Sequence, residues 1–293
     1  MTLNQTNNSS PASPGIKPHN NSGVTHGRSK IADFTLSRNS EFDAAIFDMD
    51  GVITDTASVH AAAWKQTFDT YLRSRERMFR QPFREFTSAD YLAYVDGRPR
   101  YKGVEAFLIS RGINLEFGSA GDVPGRETVC GIGNQKNAIF NQIIEREGVG
   151  LFDSTVALIR ELLQRGIKVG LATSSNNSSE ILGRTGTAHL FATVVDGIVS
   201  ERLGLKGKPE PDIFAAAAAN LGVLCLRAIV VEDAVAGVQA GARGGFALVI
   251  GVAREDNERE LRESGADMVV RDLSETSLEQ INRLVQDKRA NAR

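Results

Sequence analysis

"FDAAIFDMDGVITDT", residues 42–56, runs apolar from Ala44 to Phe47 and then breaks into two acids, Asp48 and Asp50, with one methionine between them. A short apolar run ended by polar residues predicts a strand buried on both faces. Side chains two apart in an extended chain share a side, so Asp48 and Asp50 can converge just past the strand's end, before Gly51 turns the chain. Two carboxylates that close repel each other. Either one is protonated or a cation lies between them, and a hard, oxygen-liganded ion such as Mg²⁺ suits such a site. The same letters also make an ordinary turn, because Asp and Gly are common turn residues. What decides between the two is what the rest of the chain brings beside them.

Outward from this stretch, short apolar runs alternate with longer helical patterns, which predicts parallel strands joined by crossover helices and an α/β architecture. Candidate strands are Ala44 to Asp48, Ile167 to Ala172, Ala228 to Val231 and Ala247 to Ile250, with weaker ones near Val194-Val195 and Met268 to Val270. "PEPDIFAAAAANLG" starts a helix on prolines and ends it at Gly222, as helix termini favour. Thr276 and Glu279 have capping-box spacing ahead of the stripe Leu278, Ile281 and Val285. Residues 58–150 read differently: "HAAAWKQTFDTYL", "GVEAFLISRG" and "NQKNAIFNQIIEREG" are helical in spacing with no apolar strand between them. A helical domain inserted just past a strand's carboxyl end lies over the edge where open α/β sheets bind ligands, so it is placed as a lid. The division expected is a disordered tail at 1–40, the first strand and its loop at 41–57, the helical cap at 58–150, the rest of the core at 151–285 and a short tail at 286–293.

Composition narrows the function classes. The 293 residues suffice for one large or two modest domains; 41% are hydrophobic, 24% charged, and the net charge is -2. That balance gives no bulk attraction to nucleic acid or an anionic membrane, so any phosphate binding is local. No apolar stretch approaches the ~18 residues of a membrane span, and no secretory signal is recognisable, so the cytoplasm is the expected location. Residues 1–40 are rich in Asn, Ser, Pro and Gly and carry too few apolar residues to offset ordering entropy. Cys130 and Cys225 form neither a metal-ligand spacing nor a disulfide framework and enter no mechanism. No GxxxxGK[ST] sequence occurs, and "GIGNQK" and "GARGGF" lack the full dinucleotide fingerprint.

Two further strands end in the same kind of chemistry. "GIKVGLATSSNN" leaves its apolar run into Thr173, Ser174, Ser175, Asn176 and Asn177, which offer hydroxyl, amide and backbone donors to an anion at a helix start. "AIVVEDAVAGVQAG" ends in Glu232 and Asp233. Each alone is also a plain helix start. In a parallel sheet, however, all these ends open on one edge, so acids from two strands and hydroxyls from a third share one crevice, and a buried acid cluster is costly without a cation. Lys208, ahead of the proline-started helix, adds an ammonium that can neutralise a phosphate.

With these four pieces in order, the chain resembles the haloacid dehalogenase superfamily of phosphotransferases over roughly residues 42–285. Asp48-Met49-Asp50-Gly51-Val52 matches its first motif, Thr173 the second, Lys208 the third and Glu232-Asp233 the fourth. Within the superfamily it is most similar to the β-phosphoglucomutases, through Thr56, His60 and Trp64 in "DMDGVITDTASVHAAAWK". The resemblance implies a doubly wound parallel core with an inserted helical cap. It implies Asp48 as the nucleophile that forms an aspartyl-phosphate, and Asp50 as general acid and base. Asp48, Asp233 and the main-chain carbonyl of Asp50 would hold Mg²⁺ with Glu232 in support, and Thr173 and Lys208 would hold the transferring phosphoryl oxygens. In the cap, Gly97 and Arg100 fall on the family's substrate loop, with Arg100 on its phosphate-binding arginine, and Lys136-Asn137 on a position that contacts the sugar phosphate; Ser175 and Asn177 join the substrate set from the core. His60 either packs under the cap or couples sugar binding to Asp50, and Trp64 either packs between domains or stacks on the sugar.

This chain also departs from the family pattern. Asp96 stands where lysine is usual, Arg98 replaces an apolar residue, Gly103 replaces a serine, and the segment Gly112 to Gly131 is long. These touch the choice of sugar and leave the core chemistry intact. The expected activity is interconversion of β-glucose 1-phosphate and glucose 6-phosphate, with a sugar-phosphate phosphatase as the alternative; Thr56, His60, Arg100 and Lys136 favour the mutase. A non-catalytic binding module would have lost one of Asp48, Asp50, Lys208 or Asp233, and a dehalogenase would not need Asp50. The implied partner is a small sugar phosphate handled by a monomer, supplied by an enzyme such as a disaccharide phosphorylase, with no nucleic acid and no membrane.

Overall fold

The computed structural model describes residues 40–80, 82–254 and 256–291; the tail expected at residues 1–40 lies outside them except for Ser40. Strand β1 (Ala44–Phe47) is followed by four cap helices, α1 (Ala57–Phe79), α2 (Ser88–Asp90), α3 (Arg100–Ser110) and α4 (Val129–Glu147). The core resumes with α5 (Asp153–Gln164), β2 (Lys168–Ala172), α6 (Ser178–Thr185), β3 (Thr193–Val195), α7 (Gly197–Leu203) and α8 (Asp212–Asn220). It closes with β4 (Ala228–Glu232), α9 (Val235–Arg243), β5 (Leu248–Val252), α10 (Glu258–Glu263), β6 (Met268–Val270) and α11 (Leu278–Asn291).

The six strands form one parallel sheet in the order β3-β2-β1-β4-β5-β6, the doubly wound core that the resemblance implies. β1 lies centrally, and its four residues alternate between two cores: Ala45 and Phe47 pack into one, Ala44 and Ile46 into the other. Burial on both faces is why this strand is apolar without alternation. The chain winds to β2 on one side of β1 and to β4 on the other, so a switch point opens at the carboxyl end of β1. Register carries the functional loops to that point, because Phe47 pairs with Leu171 and with Val231, and the Asp48 N–H donates to the Val231 carbonyl at 2.9 Å.

The cap has its own aromatic core, in which Phe68 stacks with Trp64 and meets Phe86 and Phe107. Its two connections to the sheet are pinned side by side: Asp55 N–H donates to the Gly150 carbonyl and Phe152 N–H to the Ile53 carbonyl, both at 3.0 Å. The long segment before α4 is organised by Asp122, whose carboxylate accepts from Thr128 Oγ1 at 2.6 Å, from Ser119 N–H at 3.1 Å and from Arg126 at 3.0 Å. No helix among the described residues is long and apolar enough to cross a membrane.

Two boundaries differ from expectation. The last helix starts one residue later than the capping-box spacing suggests, because Ser277 Oγ accepts the Gln280 N–H at 3.2 Å and takes the cap that Thr276 was expected to fill. It also continues to Asn291, past the tail expected from 286, because Gln286, Lys288 and Arg289 bond to Glu41, Asp267 and the Leu226 carbonyl.

Candidate active site

Asp48 leaves β1 at the centre of the crevice, 5% exposed, with Oδ1 accepting from Lys208 Nζ at 2.6 Å. The same ammonium donates to Glu232 Oε1 at 2.5 Å, and Glu232 Oε2 accepts the Ala234 N–H at 2.6 Å. Asp48, Glu232 and Asp233 each offer a carboxylate oxygen, all within 4.8 Å of one another. Three acids thus face one lysine. Burial pushes Asp48 up to about 8, with Glu232 and Asp50 adding and Lys208 opposing; Asp233 is raised by burial and by Glu232. The Lys208 pKa rises because its two carboxylate partners outweigh burial, so the pair is a charged lysine beside acids in excess. A divalent cation with a preference for hard oxygen donors fits this set, because it would neutralise that excess.

Gly51 makes this packing possible. Its φ is +78°, and a side chain there would overlap the Asp233 carboxylate. Arg254, from the loop after β5, pins the turn by donating from Nε to the Gly51 carbonyl at 2.9 Å.

Asp50 does not join the acid cluster. Its Oδ1 accepts from Thr56 Oγ1 at 2.5 Å, and Thr56 is tied at 2.7 Å to Thr54, which donates to the Met49 carbonyl. His60 Nε2 lies 3.2 Å from the same Oδ1, an ion-pair distance but off the line of a formed hydrogen bond. The turn therefore sends Asp48 toward the cluster and Asp50 toward the cap helix α1. Burial raises Asp50, but His60, Thr56 and Lys136 outweigh it and the net pKa is lowered. His60 stacks on Phe140 and contacts Lys136 Nζ through Nδ1. Burial and the Lys136 charge push the His60 pKa down, and burial with Arg100 pushes Lys136 well down.

The remaining predicted residues line the same cleft. Thr173, 1% exposed, accepts the Ser175 N–H at 3.1 Å, and Ser175 accepts the Asn177 N–H at 3.2 Å, so the loop after β2 is folded on its own side chains. Asn177 Nδ2 and Arg100 Nη2 both donate to Asn137 Oδ1, at 2.9 and 2.7 Å. Trp64 borders the cleft from the cap core, with Lys136 Nζ 5.1 Å from its ring. Gly97, at φ +66°, brings the cap loop onto the core: its carbonyl accepts from Ser174 Oγ at 3.0 Å, and a Cβ there would stand 2.9 Å from that of Ala234. Asp96 and Arg98 line the cleft as well. Tyr91 and Arg254 were not anticipated. Tyr91 opens a π-helical turn, Tyr91–Val95, closed by the Asp96 N–H on the Tyr91 carbonyl at 3.0 Å, and such a turn leaves no periodic signal.

Residues 42–245 match the haloacid dehalogenase-like hydrolase family. A protein of Mycobacterium bovis named beta-phosphoglucomutase is 42% identical over 236 residues, 79% of this chain and 90% of that protein. One of the same name from Bacillus subtilis is 33% identical over 238 residues, 80% of this chain and 92% of that one. A crystal structure titled as a beta-phosphoglucomutase from Clostridium difficile superposes with a TM-score of 0.68 at 23% identity, covering 85% of this chain and 99% of that chain, and so speaks for the fold.

Proposed function

The chain belongs to the haloacid dehalogenase-like hydrolase family and is a β-phosphoglucomutase-like enzyme, and from that premise we propose that it moves a phosphoryl group between two hydroxyls of one sugar by way of phosphorylated Asp48. β-Glucose 1-phosphate and glucose 6-phosphate are the proposed pair. The observation that carries the reading is the opposite facing of the two loop acids: Asp48 toward Lys208 at 2.6 Å, Asp50 toward Thr56 at 2.5 Å.

In the proposed reaction a carboxylate oxygen of Asp48 attacks phosphorus. Lys208 and Thr173 hold the phosphoryl oxygens, over which charge spreads in a loose transition state. Asp50, its pKa lowered and its carboxyl therefore ionised, takes a proton from the hydroxyl that attacks phospho-Asp48 and gives that proton to the sugar oxygen that departs in the return step; Thr56 and His60 hold it in place for both. The phosphoryl group on Asp48 passes to the free hydroxyl of a sugar monophosphate, and the bisphosphate so formed returns its other phosphoryl group. A magnesium ion held by Asp48, Asp233 and the Asp50 main-chain carbonyl would offset the charge that the three clustered acids and a phosphate bring together. Arg100, Asn177 and Ser175 grip the phosphate that stays, and the docked Gly97 loop excludes water.

The test supplies β-glucose 1-phosphate, a trace of the 1,6-bisphosphate and Mg²⁺, and follows glucose 6-phosphate and free phosphate. Glucose 6-phosphate is expected as the main product, with turnover lost in Asp48→Ala and in Asp50→Ala. Free phosphate as the main product would make the enzyme a phosphatase, and retained turnover in Asp48→Ala would remove the covalent step.

A further inference from the structure

Lys136 and Asn137 are neighbours on one turn of α4 and make different contacts. Lys136 contacts His60, which sits beside Asp50. Asn137 Oδ1 accepts from Arg100 of the cap and from Asn177 of the core, at 2.7 and 2.9 Å. Arginine can only donate, which fixes the amide with its oxygen toward both partners. Arg100 and Asn177 border the cleft, whereas the half-buried Asn137 stands behind them. One N–H of each is used by Asn137, which leaves further N–H groups on the guanidinium and the amide to offer an anion.

We propose that Asn137 is a positioning residue that latches cap to core, bringing Arg100 and Asn177 together as a preformed grip for the phosphate that is not transferred. The inference rests on the reading of the cleft as a sugar-phosphate site. The two donors belong to different domains, so without the bridge they separate when the cap moves, and substrate binding has to reassemble them. The latch also ties closure to anion binding, because Asn137 engages Asn177 only when the cap is down.

The test compares wild type with Asn137→Ala and Asn137→Asp. For Asn137→Ala the KM for the sugar 1-phosphate is expected to rise about tenfold with kcat changed less than about twofold, and the share of phosphoryl groups lost to water to rise. Binding of inorganic phosphate, followed in EDTA by the fluorescence of Trp64, the single tryptophan, is expected to weaken by a similar factor. Asn137→Asp keeps the acceptor oxygen but sets a negative charge beside Arg100, so its hydrolysed share stays at the wild-type level while anion affinity falls. Wild-type KM, phosphate affinity and partition in Asn137→Ala would overturn the latch, as would a fall in kcat and melting temperature at unchanged KM. If Asn137→Ala does not fold, Asn177→Ala must reproduce the KM and partition effects or the proposal fails. If wild type turns over no sugar phosphate, the proposed reaction is refuted, while the phosphate titration still decides the latch.

Discussion

If the acid cluster holds a divalent ion as proposed, removing that ion should destabilise this protein more at pH 8 than at pH 6, and the raised pKa of Asp48 sets the size of the difference. Without the ion, the folded Asp48 carboxyl is pushed up to about 8 by burial, from the ordinary value of 3.8 expected in the unfolded chain. Between these values the folded state holds a proton that the unfolded state has released. Stability of the metal-free protein therefore falls as pH rises through the window from about 4 to about 8. From pH 6 to 8 Asp48 alone contributes a loss of about 2 kcal/mol, or roughly 4–8 °C in melting temperature for a domain of this size. Asp233, raised by burial as well, acts in the same direction. A bound divalent ion keeps both acids ionised at both pH values and removes this slope. His60, lowered by burial, titrates with the opposite sign, but it does so with or without the ion and cancels in the difference. The assay is thermal unfolding in saturating Mg²⁺ and in EDTA at the two pH values. A gain from Mg²⁺ that is equal at both, or larger at pH 6, would refute the charge argument.

Two further outcomes follow from the same geometry. Lys208→Met leaves Asp48 and Glu232 buried without their shared cation, at a cost of about 3–5 kcal/mol, and urea unfolding should show part of that loss recovered between pH 8 and pH 6 as Asp48 protonates. Gly97→Val forces a branched residue into φ +66° against Ala234, so the cap loop should stay off the core and the hydrolysed share of phosphoryl groups should rise at an unchanged core melting temperature; an unaltered partition would show that this contact does not exclude water.

The fold was legible where one residue pattern has one physical cause. Ala44 to Phe47 could only be a strand covered on both sides, and acids or hydroxyls at the ends of three such runs had to meet if the strands were parallel. Side-chain direction within the loop was harder to read. Residues two apart were expected to converge, yet Asp48 and Asp50 face opposite ways, because the chain has left extended geometry by Gly51 and Thr56 and His60 hold the second acid. Boundaries failed for a similar reason: Thr276 and Ser277 are both good caps, and the tertiary contacts of Lys288 and Arg289, which extend the last helix, leave no mark in local periodicity. Tyr91 reaches the cleft through a π-turn, and Arg254 reaches the Gly51 turn from a loop with no pattern of its own. The bridge at Asn137 joins residues far apart in the chain, and no local spacing announces it.

The insertion of the cap straight after β1 also shapes how the chain folds. The central strand has no neighbour until β2 and β4 have been made, and Asp48 meets its lysine across 160 residues of sequence. Such non-local pairing closes large loops before it is rewarded and makes for slow folding. The cap helices lie in one contiguous stretch, α1 to α4, and can assemble while β1 still waits for partners. On the ribosome the acid pair is thus translated among the first elements and completed among the last, so a nascent chain carries no working centre until the strand ending in Glu232 has emerged.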